Sequence, residues 1–186
     1  MHNLADYIRV YDDALRPEFC ERLVAAFEQS VAQQFRNGRG IHDALQDSAW
    51  TELDVGRFAD EAFLGFFLSQ MDASLARYNR DVPLTIPVPA RPRTDRLIVK
   101  RYRPGGEEAF QPHFDSIDAA CGRYLVFLWY LNDVDEGGET EFCDLGVRVA
   151  PRTGRLLMFP PYWMFQHAGL PPVSGDKYIL STYLMF

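Results

Sequence analysis

Residues 97–131 read LIVKRYRPGGEEAFQPHFDSIDAACGRYLVFLWYL, and they carry the strongest indication of the fold class. Its two ends, 97–102 and 124–131, are short runs rich in β-branched and aromatic residues, which are typical of β-strands. Pro104, Gly105 and Gly106 form a turn signal after the first run. The stretch therefore predicts strands that follow one another without long helices between them.

Further strand-like segments follow along the chain, at 139–142, 147–149, 156–159 and 178–186. Turn signals separate them: Gly137-Gly138, Arg152-Thr153-Gly154, Pro160-Pro161 and Ser174-Gly175-Asp176. Many short strands joined by turns predict a β-sandwich or a β-barrel.

The first half of the chain is predicted to be helical, after a short strand at 7–10. Apolar residues recur at helical spacing from Pro17 onward: Phe19, Leu23, Val24 and Phe27. The glycines at 38 and 40 predict the end of this helix. A second helix is predicted at about 57–78, and the segment before it, 45–56, is interpreted as a loop. A proline cluster then predicts an extended connector: Pro83, Pro87, Pro89 and Pro92.

These patterns predict an α+β fold in one domain that spans residues 1–186. About 1–92 would form helical support and a connector, and about 93–186 would form the strand-rich core. Hydrophobic residues make up 47% of the chain, which is enough for a full core.

The overall charge limits the classes of partner. The chain has 19 basic and 26 acidic residues, and the net charge of -7 argues against general binding of nucleic acid or of anionic membranes. No apolar run is long enough to cross a bilayer. The first residues lack the pattern of a secretory signal, and three cysteines without paired spacing favour free thiols. We therefore expect a cytoplasmic protein, whose oligomeric state these patterns do not define.

A local basic run departs from the acidic average: Arg91, Arg93, Arg96, Lys100, Arg101 and Arg103. One interpretation is a solvated strand face, which is the ordinary origin of such runs. The other is a rim that recognises an acidic substrate.

His113, Asp115 and His167 are the candidate metal ligands. Residues two apart on a strand point to the same face, so His113 and Asp115 can converge on one point. A second imidazole from a facing strand, His167, would complete a set that suits iron(II) and leaves positions open for a substrate and O2. The His-x-Asp pattern alone is weak evidence, because a strand histidine paired with a neighbouring carboxylate gives the same pattern.

Several blocks around these ligands occur in a characteristic order: Tyr102-Arg103-Pro104-Gly105, His113-Phe114-Asp115, Tyr130–Val134, Gly137–Thr140, Val149–Gly154, and His167–Pro171 with Lys177 ten positions after His167. In this order they resemble the prolyl-4-hydroxylase-like branch of the 2-oxoglutarate/iron(II) oxygenases. The resemblance covers roughly 95–186, and the segment 12–20 is a weaker match to the start of that family's first helix.

The resemblance implies a double-stranded β-helix (jelly-roll) core with N-terminal supporting helices. It implies Fe(II) held by His113, Asp115 and His167, 2-oxoglutarate as cosubstrate, O2, and ascorbate as a candidate stimulant. Lys177 is then expected to bind the far carboxylate of 2-oxoglutarate through a charge-assisted bond. In isolation, an exposed lysine in a turn is the more ordinary interpretation of this residue.

The resemblance also suggests roles for aromatic residues. Tyr130 and Tyr102 match family tyrosines that hydrogen-bond the cosubstrate, although both positions also suit core aromatics. Tyr183 stands where relatives often carry a tryptophan near the substrate, and Phe110 where many carry a second tyrosine. The aromatic stretch 159–165 is interpreted as core packing in preference to a wall of the substrate pocket.

The activity implied by the resemblance is hydroxylation of an aliphatic C–H, of a prolyl residue or a proline-like amino acid, with release of succinate and CO2. Asp115 favours hydroxylation, because related halogenases lack this carboxylate. The expected partner is a peptide or small-molecule substrate, with neither nucleic acid nor a membrane. Two alternatives stay open: a small-molecule biosynthetic oxygenase of the same chemistry, and a non-catalytic jelly-roll binding module.

Overall fold

The structure is a computed structural model that describes residues 3–82, 84–89 and 93–186. Pro83 and Pro92 of the predicted connector and Arg91 of the basic run lie outside the described residues. None of the helices within the described ranges is both long enough and apolar enough to cross a membrane.

The described ranges contain two α-helices, α1 (Pro17–Gln29) and α2 (Glu61–Asp81). They also contain these strands: β1 (Arg9–Tyr11), β2 (Phe35–Gly38), β3 (Ala49–Asp54), β4 (Arg93–Thr94), β5 (Ile98–Tyr102), β6 (Phe110–His113), β7 (Arg123–Tyr130), β8 (Thr140–Phe142), β9 (Val147–Val149), β10 (Leu156–Phe159), β11 (His167–Gly169) and β12 (Lys177–Met185). The strand-rich second half agrees with the prediction from sequence.

The strands form two antiparallel sheets that enclose a common interior. The large sheet has the order β1-β10-β7-β12-β5-β3-β2, with β4 beside β12, and the small sheet has the order β6-β11-β8-β9. Apolar side chains from both sheets meet between them, and the two helices pack on the outer face of the large sheet. This arrangement confirms the predicted jelly-roll core with supporting helices.

Residues 124–131 are apolar at almost every position, and most of them belong to strand β7, which is buried on both faces. The side chains on one face pack beneath the helices: Leu125, Phe127 and Trp129. Those on the other face point between the two sheets: Val126, Leu128 and Tyr130. A strand buried on both faces needs apolar residues throughout, so its period of two is hidden in the sequence.

Helix α1 ends at Gln29, so the predicted continuation to the glycines at 38 and 40 is wrong. The next position on the buried face is Ser30, whose N–H donates to the carbonyl of Phe27 at 3.1 Å. The side-chain amide of Gln34 also donates to that carbonyl, at 2.6 Å. A side chain that donates to a carbonyl in the last turn takes the place of the next backbone hydrogen bond, so the helix ends there. Ser30 is polar and adds no apolar contact that would favour a further turn.

Helix α2 begins at Glu61 and not near residue 57. Asp60 is the N-cap, and its carboxylate accepts the N–H of Phe63 at 2.8 Å. Aspartate at this position satisfies one of the free N–H groups of the first turn, which sets the start of the helix. Phe58, which the prediction included in the helix, is 63% exposed.

The interpretation of 45–56 as a loop is wrong over 49–54, which form β3. This strand pairs with β2 on one side and with β5 on the other, where Glu52 lies opposite Lys100. Trp50 points into the interior between the sheets and Leu53 points towards the helices. Because polar Thr51 and Glu52 lie between these two apolar residues, the sequence shows no regular alternation.

Gly154 joins the start of the helical layer to the large sheet. Its carbonyl accepts the N–H of Leu15 at 3.1 Å, its φ is +78°, and an added Cβ would lie 2.2 Å from the carbonyl oxygen of Leu15. We expect Gly154→Ala to lower the free energy of unfolding by about 3 kcal/mol, through left-handed backbone strain and a steric clash.

Gly146→Ala is the matched control, measured in the same urea unfolding experiment. Gly146 has a φ of +64°, and nothing would lie within 4 Å of its added Cβ. Gly146→Ala should lower the free energy of unfolding by about 1 kcal/mol, from backbone strain alone. Equal losses at the two glycines would contradict the close approach at Leu15.

Candidate metal centre

The small sheet brings the three predicted ligands together. Strands β6 and β11 are neighbours, and His113 lies directly opposite His167. Asp115 follows the end of β6, and its N–H donates to the carbonyl of Pro161 at 3.0 Å. The Nε2 atoms of His113 and His167 lie 3.5 and 3.4 Å from the carboxylate oxygens of Asp115. His167 therefore comes from the adjacent strand of the same sheet, not from the facing strand that we expected.

Backbone carbonyls orient both imidazoles. The Nδ1 atom of His113 lies 2.8 Å from the carbonyl oxygen of Gln111, and that of His167 lies 3.0 Å from the carbonyl oxygen of Phe165. A carbonyl only accepts, so each Nδ1 carries the proton and each Nε2 keeps a free lone pair. Both lone pairs are thus available at the point where the ligands converge.

The electrostatics of the site favour the protonation states that a metal requires. Burial lowers the pKa of His167 to about 4, and the nearby His113 acts in the same direction, so this imidazole is neutral at neutral pH. Burial acts to raise the pKa of Asp115. His167, His113 and the hydroxyl of Tyr183 outweigh it and hold that pKa below its usual range. A neutral imidazole and an ionised carboxylate are the ligand forms.

One carboxylate oxygen of Asp115 shows that the residues fit a cation. Oδ1 accepts the O–H of Tyr183 at 2.9 Å, whereas Oδ2 is buried and no described residue donates to it. A buried oxygen without a partner is destabilising, and a metal ion would satisfy it. Two histidines and one carboxylate with open positions are the donor set of non-haem iron(II) oxygenases.

The hydrogen bond from Tyr183 should contribute to metal affinity. Removing the hydroxyl in Tyr183→Phe frees the carboxylate of Asp115 to rotate, and outer partners of a metal ligand are worth about 10- to 100-fold in affinity. We expect the Kd for Mn(II), used as a redox-inert probe, to rise by roughly tenfold. Tyr124→Phe, on the outer face of the large sheet, is the control. Equal affinity of the two variants would remove Tyr183 from this role.

Lys177 lies in the cavity that the metal ligands line. Its side chain is 2% exposed, so the alternative of an exposed turn lysine is wrong. Its nitrogen lies 5.2 Å from the ring centroid of Tyr102 and 5.8 Å from that of Tyr130. Among the described residues it has no salt-bridge partner. Burial lowers its pKa to about 7.

The two candidate cosubstrate tyrosines are placed differently. Tyr130 is fully buried, and its hydroxyl donates to that of Thr140 at 2.7 Å. Thr140 lines the metal cavity, and its role could not be assigned from sequence because threonine is also an ordinary strand residue. Tyr102 lines the cavity directly and is 2% exposed.

A second cavity adjoins the metal cavity, and sequence reasoning missed it. Both cavities are lined by Lys100, Phe110 and Tyr183, and the second extends to Trp50 and His42. The available signal was Lys100 itself, which is two residues from Tyr102 and therefore on the same strand face. Trp50 gave no signal, because β3 was not predicted.

The basic run does not form a single face. Arg101 is 6% exposed and pairs with Glu28 of α1 at 2.7 Å, whereas Lys100 points into the interior. The interpretation as a solvated strand face is therefore wrong for these two residues. Arg93 and Arg96 are exposed.

The aromatic residues near the site mostly serve packing. Phe159 and Phe165 are buried in the interior core, as predicted for 159–165, although Trp163 is 66% exposed. Phe110, where the resemblance led us to expect a tyrosine, stacks on His113 with 3.7 Å between ring centroids. Phe110 thus makes a ring contact with a candidate metal ligand.

Comparison with known proteins agrees with this geometry. A family model described as the 2OG-Fe(II) oxygenase superfamily matches residues 97–185. Prolyl 4-hydroxylase subunit alpha-1 of Gallus gallus is 30% identical over 107 residues, which cover 48% of this chain and 20% of that protein. Probable prolyl 4-hydroxylase 11 of Arabidopsis thaliana is 35% identical over 100 residues, which cover 48% of this chain and 34% of that protein. The chain thus spans about a fifth to a third of the length of these relatives.

Solved structures share the fold. A prolyl hydroxylase of Trichoplax adhaerens matches with a TM-score of 0.74 at 17% identity, over 97% of this chain and 84% of that chain. At this identity the likeness shows the fold alone. The three candidate metal ligands and Lys177 all lie within the segment that the family model matches. Residues 97–185, just under half of the chain, therefore match the 2OG-Fe(II) oxygenase superfamily, and the chain is similar in sequence to prolyl 4-hydroxylases.

Proposed function

We propose that this chain is a 2-oxoglutarate- and Fe(II)-dependent dioxygenase that hydroxylates an aliphatic C–H of a prolyl residue or a proline-like amino acid. One C–H becomes C–OH, while 2-oxoglutarate and O2 are converted to succinate and CO2. One observation carries the proposal: the converging ligands His113, Asp115 and His167 share a cavity with the buried ammonium of Lys177.

The residues of the cavity have separate tasks in this proposal. Iron(II), when bound by the three ligands, supplies the oxygen chemistry. Lys177 offers a buried positive charge to the carboxylate of 2-oxoglutarate that does not contact the metal. Tyr102 and Thr140 line this end of the cavity, and the hydroxyl of Tyr130 donates to that of Thr140 from behind it.

Similarity to prolyl 4-hydroxylases supports a proline-like substrate. The Trichoplax adhaerens structure is described as a complex with a hypoxia inducible factor oxygen degradation domain peptide fragment. This supports a peptide substrate for the present chain as well. The alternative is a small molecule hydroxylated by the same chemistry, and this alternative is favoured by the polar residues that line the second cavity, such as Asn37 and Arg123.

The test is spectroscopic and chemical. Anaerobic protein with Fe(II) and 2-oxoglutarate should show the weak visible charge-transfer band of this enzyme class, and aerobic protein should release succinate. Mass spectrometry of peptide and amino-acid pools should then reveal a product that has gained one oxygen atom. Protein that shows neither the band nor succinate would be a non-catalytic binding module.

The affinity for 2-oxoglutarate should depend on pH through Lys177. Burial lowers the pKa of this lysine to about 7, whereas a bound carboxylate favours the ammonium form. Binding then requires proton uptake above pH 7, so affinity should be constant below about pH 7 and fall by up to roughly tenfold per pH unit above it. Titration of Mn(II)-loaded protein between about pH 6 and 8.5 measures this.

Lys177→Arg is the control for that titration. Arginine stays charged throughout this range, so its affinity should not fall as the pH rises. A flat profile for the wild-type protein would contradict the pairing of Lys177 with the cosubstrate.

A further inference from the structure

The chain uses lysine at only two positions. Of its 19 basic residues, two are lysines, Lys100 and Lys177, and all the others are arginines. Both lysines line the cavity that the metal ligands also line. Lysine is a compact charge whose three donors adapt readily to a single carboxylate. The proposed function employs Lys177 and leaves Lys100 without a role.

Lys100 is displaced from Lys177 along the interior face of the large sheet. Lys177 pairs with Tyr102 across β12 and β5, whereas Lys100 pairs with Ile179. Two residues along a strand correspond to about 7 Å. One lysine therefore lies at the cosubstrate end of the interior, and the other lies nearer the end where Tyr183 contacts Asp115.

Lys100 also lies at the junction of the metal cavity and the second cavity. Its nitrogen is 5.3 Å from the ring centroid of Trp50 and 5.4 Å from that of Phe110. Phe110 in turn stacks on the metal ligand His113. Two aromatic faces hold the ammonium by cation–π attraction, next to the space that a molecule approaching the metal would occupy.

The ammonium of Lys100 has no salt-bridge partner among the described residues. Glu52 is opposite on β3, but its carboxylate accepts the N–H of Trp50 at 2.6 Å. Arg123, which lines the same second cavity, is by contrast paired with Asp95 at 2.6 Å. Burial lowers the pKa of Lys100, although the charges of Glu52 and Asp115 act in the opposite direction.

An unpaired charge in a cavity is unfavourable unless a ligand of opposite charge binds and neutralises it. The geometry points to Lys100 as the binding site for a carboxylate of the substrate, with Trp50 and Phe110 packing against its apolar part. This inference rests on the proposed function, because it takes the second cavity as the place where the substrate enters. The substrate class is then an acid, and not an uncharged prolyl segment.

The experiment compares acids with their amides on Mn(II)-loaded protein saturated with 2-oxoglutarate. One pair is L-proline and L-prolinamide. The other is a glutamate–proline dipeptide with blocked termini and the same dipeptide with glutamine in place of glutamate. The first pair tests a free amino acid, and the second tests an acidic side chain in a peptide. In at least one pair, the acid should bind wild-type protein about tenfold more tightly than the amide.

Lys100→Met removes the charge and keeps an apolar chain of similar length. In this variant the preference for the acid should disappear, while the Kd of 2-oxoglutarate should change by less than about twofold. Three results would each overturn the inference: no preference in wild-type protein, a preference that survives in Lys100→Met, or a loss of 2-oxoglutarate affinity as large as in Lys177→Ala.

A second measurement needs no variant. Because the chain has two lysines, acetylation followed by peptide mass mapping reports each of them separately. The preferred acid should protect Lys100, and 2-oxoglutarate should protect Lys177. Failure of the proposed function would instead appear as no binding of 2-oxoglutarate to metal-loaded wild-type protein, which is a separate titration.

Discussion

Replacing His167 by alanine should abolish turnover and lower metal affinity by more than about 100-fold. Even the outer partners of a metal ligand are worth about 10- to 100-fold, so loss of a direct ligand should exceed that range. Asp115 would retain one imidazole partner in place of two, and His113 with Asp115 would leave the ion exposed to exchange with water. Titration with Mn(II) measures affinity, and succinate release measures turnover.

His42→Ala is the matched control for this loss. His42 is exposed and lies in the loop between β2 and β3, outside the ligand set. The His42→Ala variant should bind Mn(II) with the same affinity as the wild-type protein. Circular dichroism should show that both variants are folded, since His167 also packs against Phe159 with 4.7 Å between ring centroids. Metal affinity near the wild-type value in His167→Ala would refute the ligand assignment.

Replacing Lys177 by alanine should raise the Kd for 2-oxoglutarate by roughly 30-fold or more. Truncating one partner of a buried, hydrogen-bonded charge pair costs about 2–5 kcal/mol, and about 1.4 kcal/mol is a factor of ten. Metal affinity should remain close to wild type, because the lysine lies outside the candidate ligand set His113, Asp115 and His167. Titration with 2-oxoglutarate at fixed Mn(II) separates the two effects.

Lys100→Ala is the natural control, because Lys100 is the only other lysine and lines the same cavity. Both variants lose one positive charge near the metal, so a general electrostatic effect would weaken 2-oxoglutarate binding equally. A specific contact predicts a large loss at Lys177 alone. Unchanged cosubstrate affinity in Lys177→Ala would remove that residue from its role.

The strand-rich core and the candidate metal ligands were predictable because each depends on a short local pattern in the sequence. The apolar run 124–131 and the His-x-Asp pattern are short segments whose meaning depends on strand geometry. The role of the distant His167 was predicted from the residues that follow it in sequence. Its position opposite His113 depends instead on the pairing of β11 with β6. Sheet order is a long-range property that spacing along the chain does not encode.

Other features depend on contacts that no local pattern reveals. The end of α1 is set by Gln34, which reaches back to a carbonyl of the last turn. β3 is held by pairing with β5, although its own residues do not alternate regularly. The hydrogen bond from Tyr183 to Asp115 joins positions 68 residues apart. In each case the partner that decides the structure is distant in sequence.

β7 is a single wall shared by two cores, one beneath the helices and one around the metal. A substitution that disturbs the core beneath the helices should therefore also shift the side chains of β7 that point towards the candidate metal centre. A cavity made at Phe67, which meets Trp129 at 5.7 Å between ring centroids, would shift the same strand that carries Tyr130. We therefore expect substitutions in the helical layer to alter the cavity of the candidate metal ligands without touching it, because the helices support the strand that forms one side of that cavity.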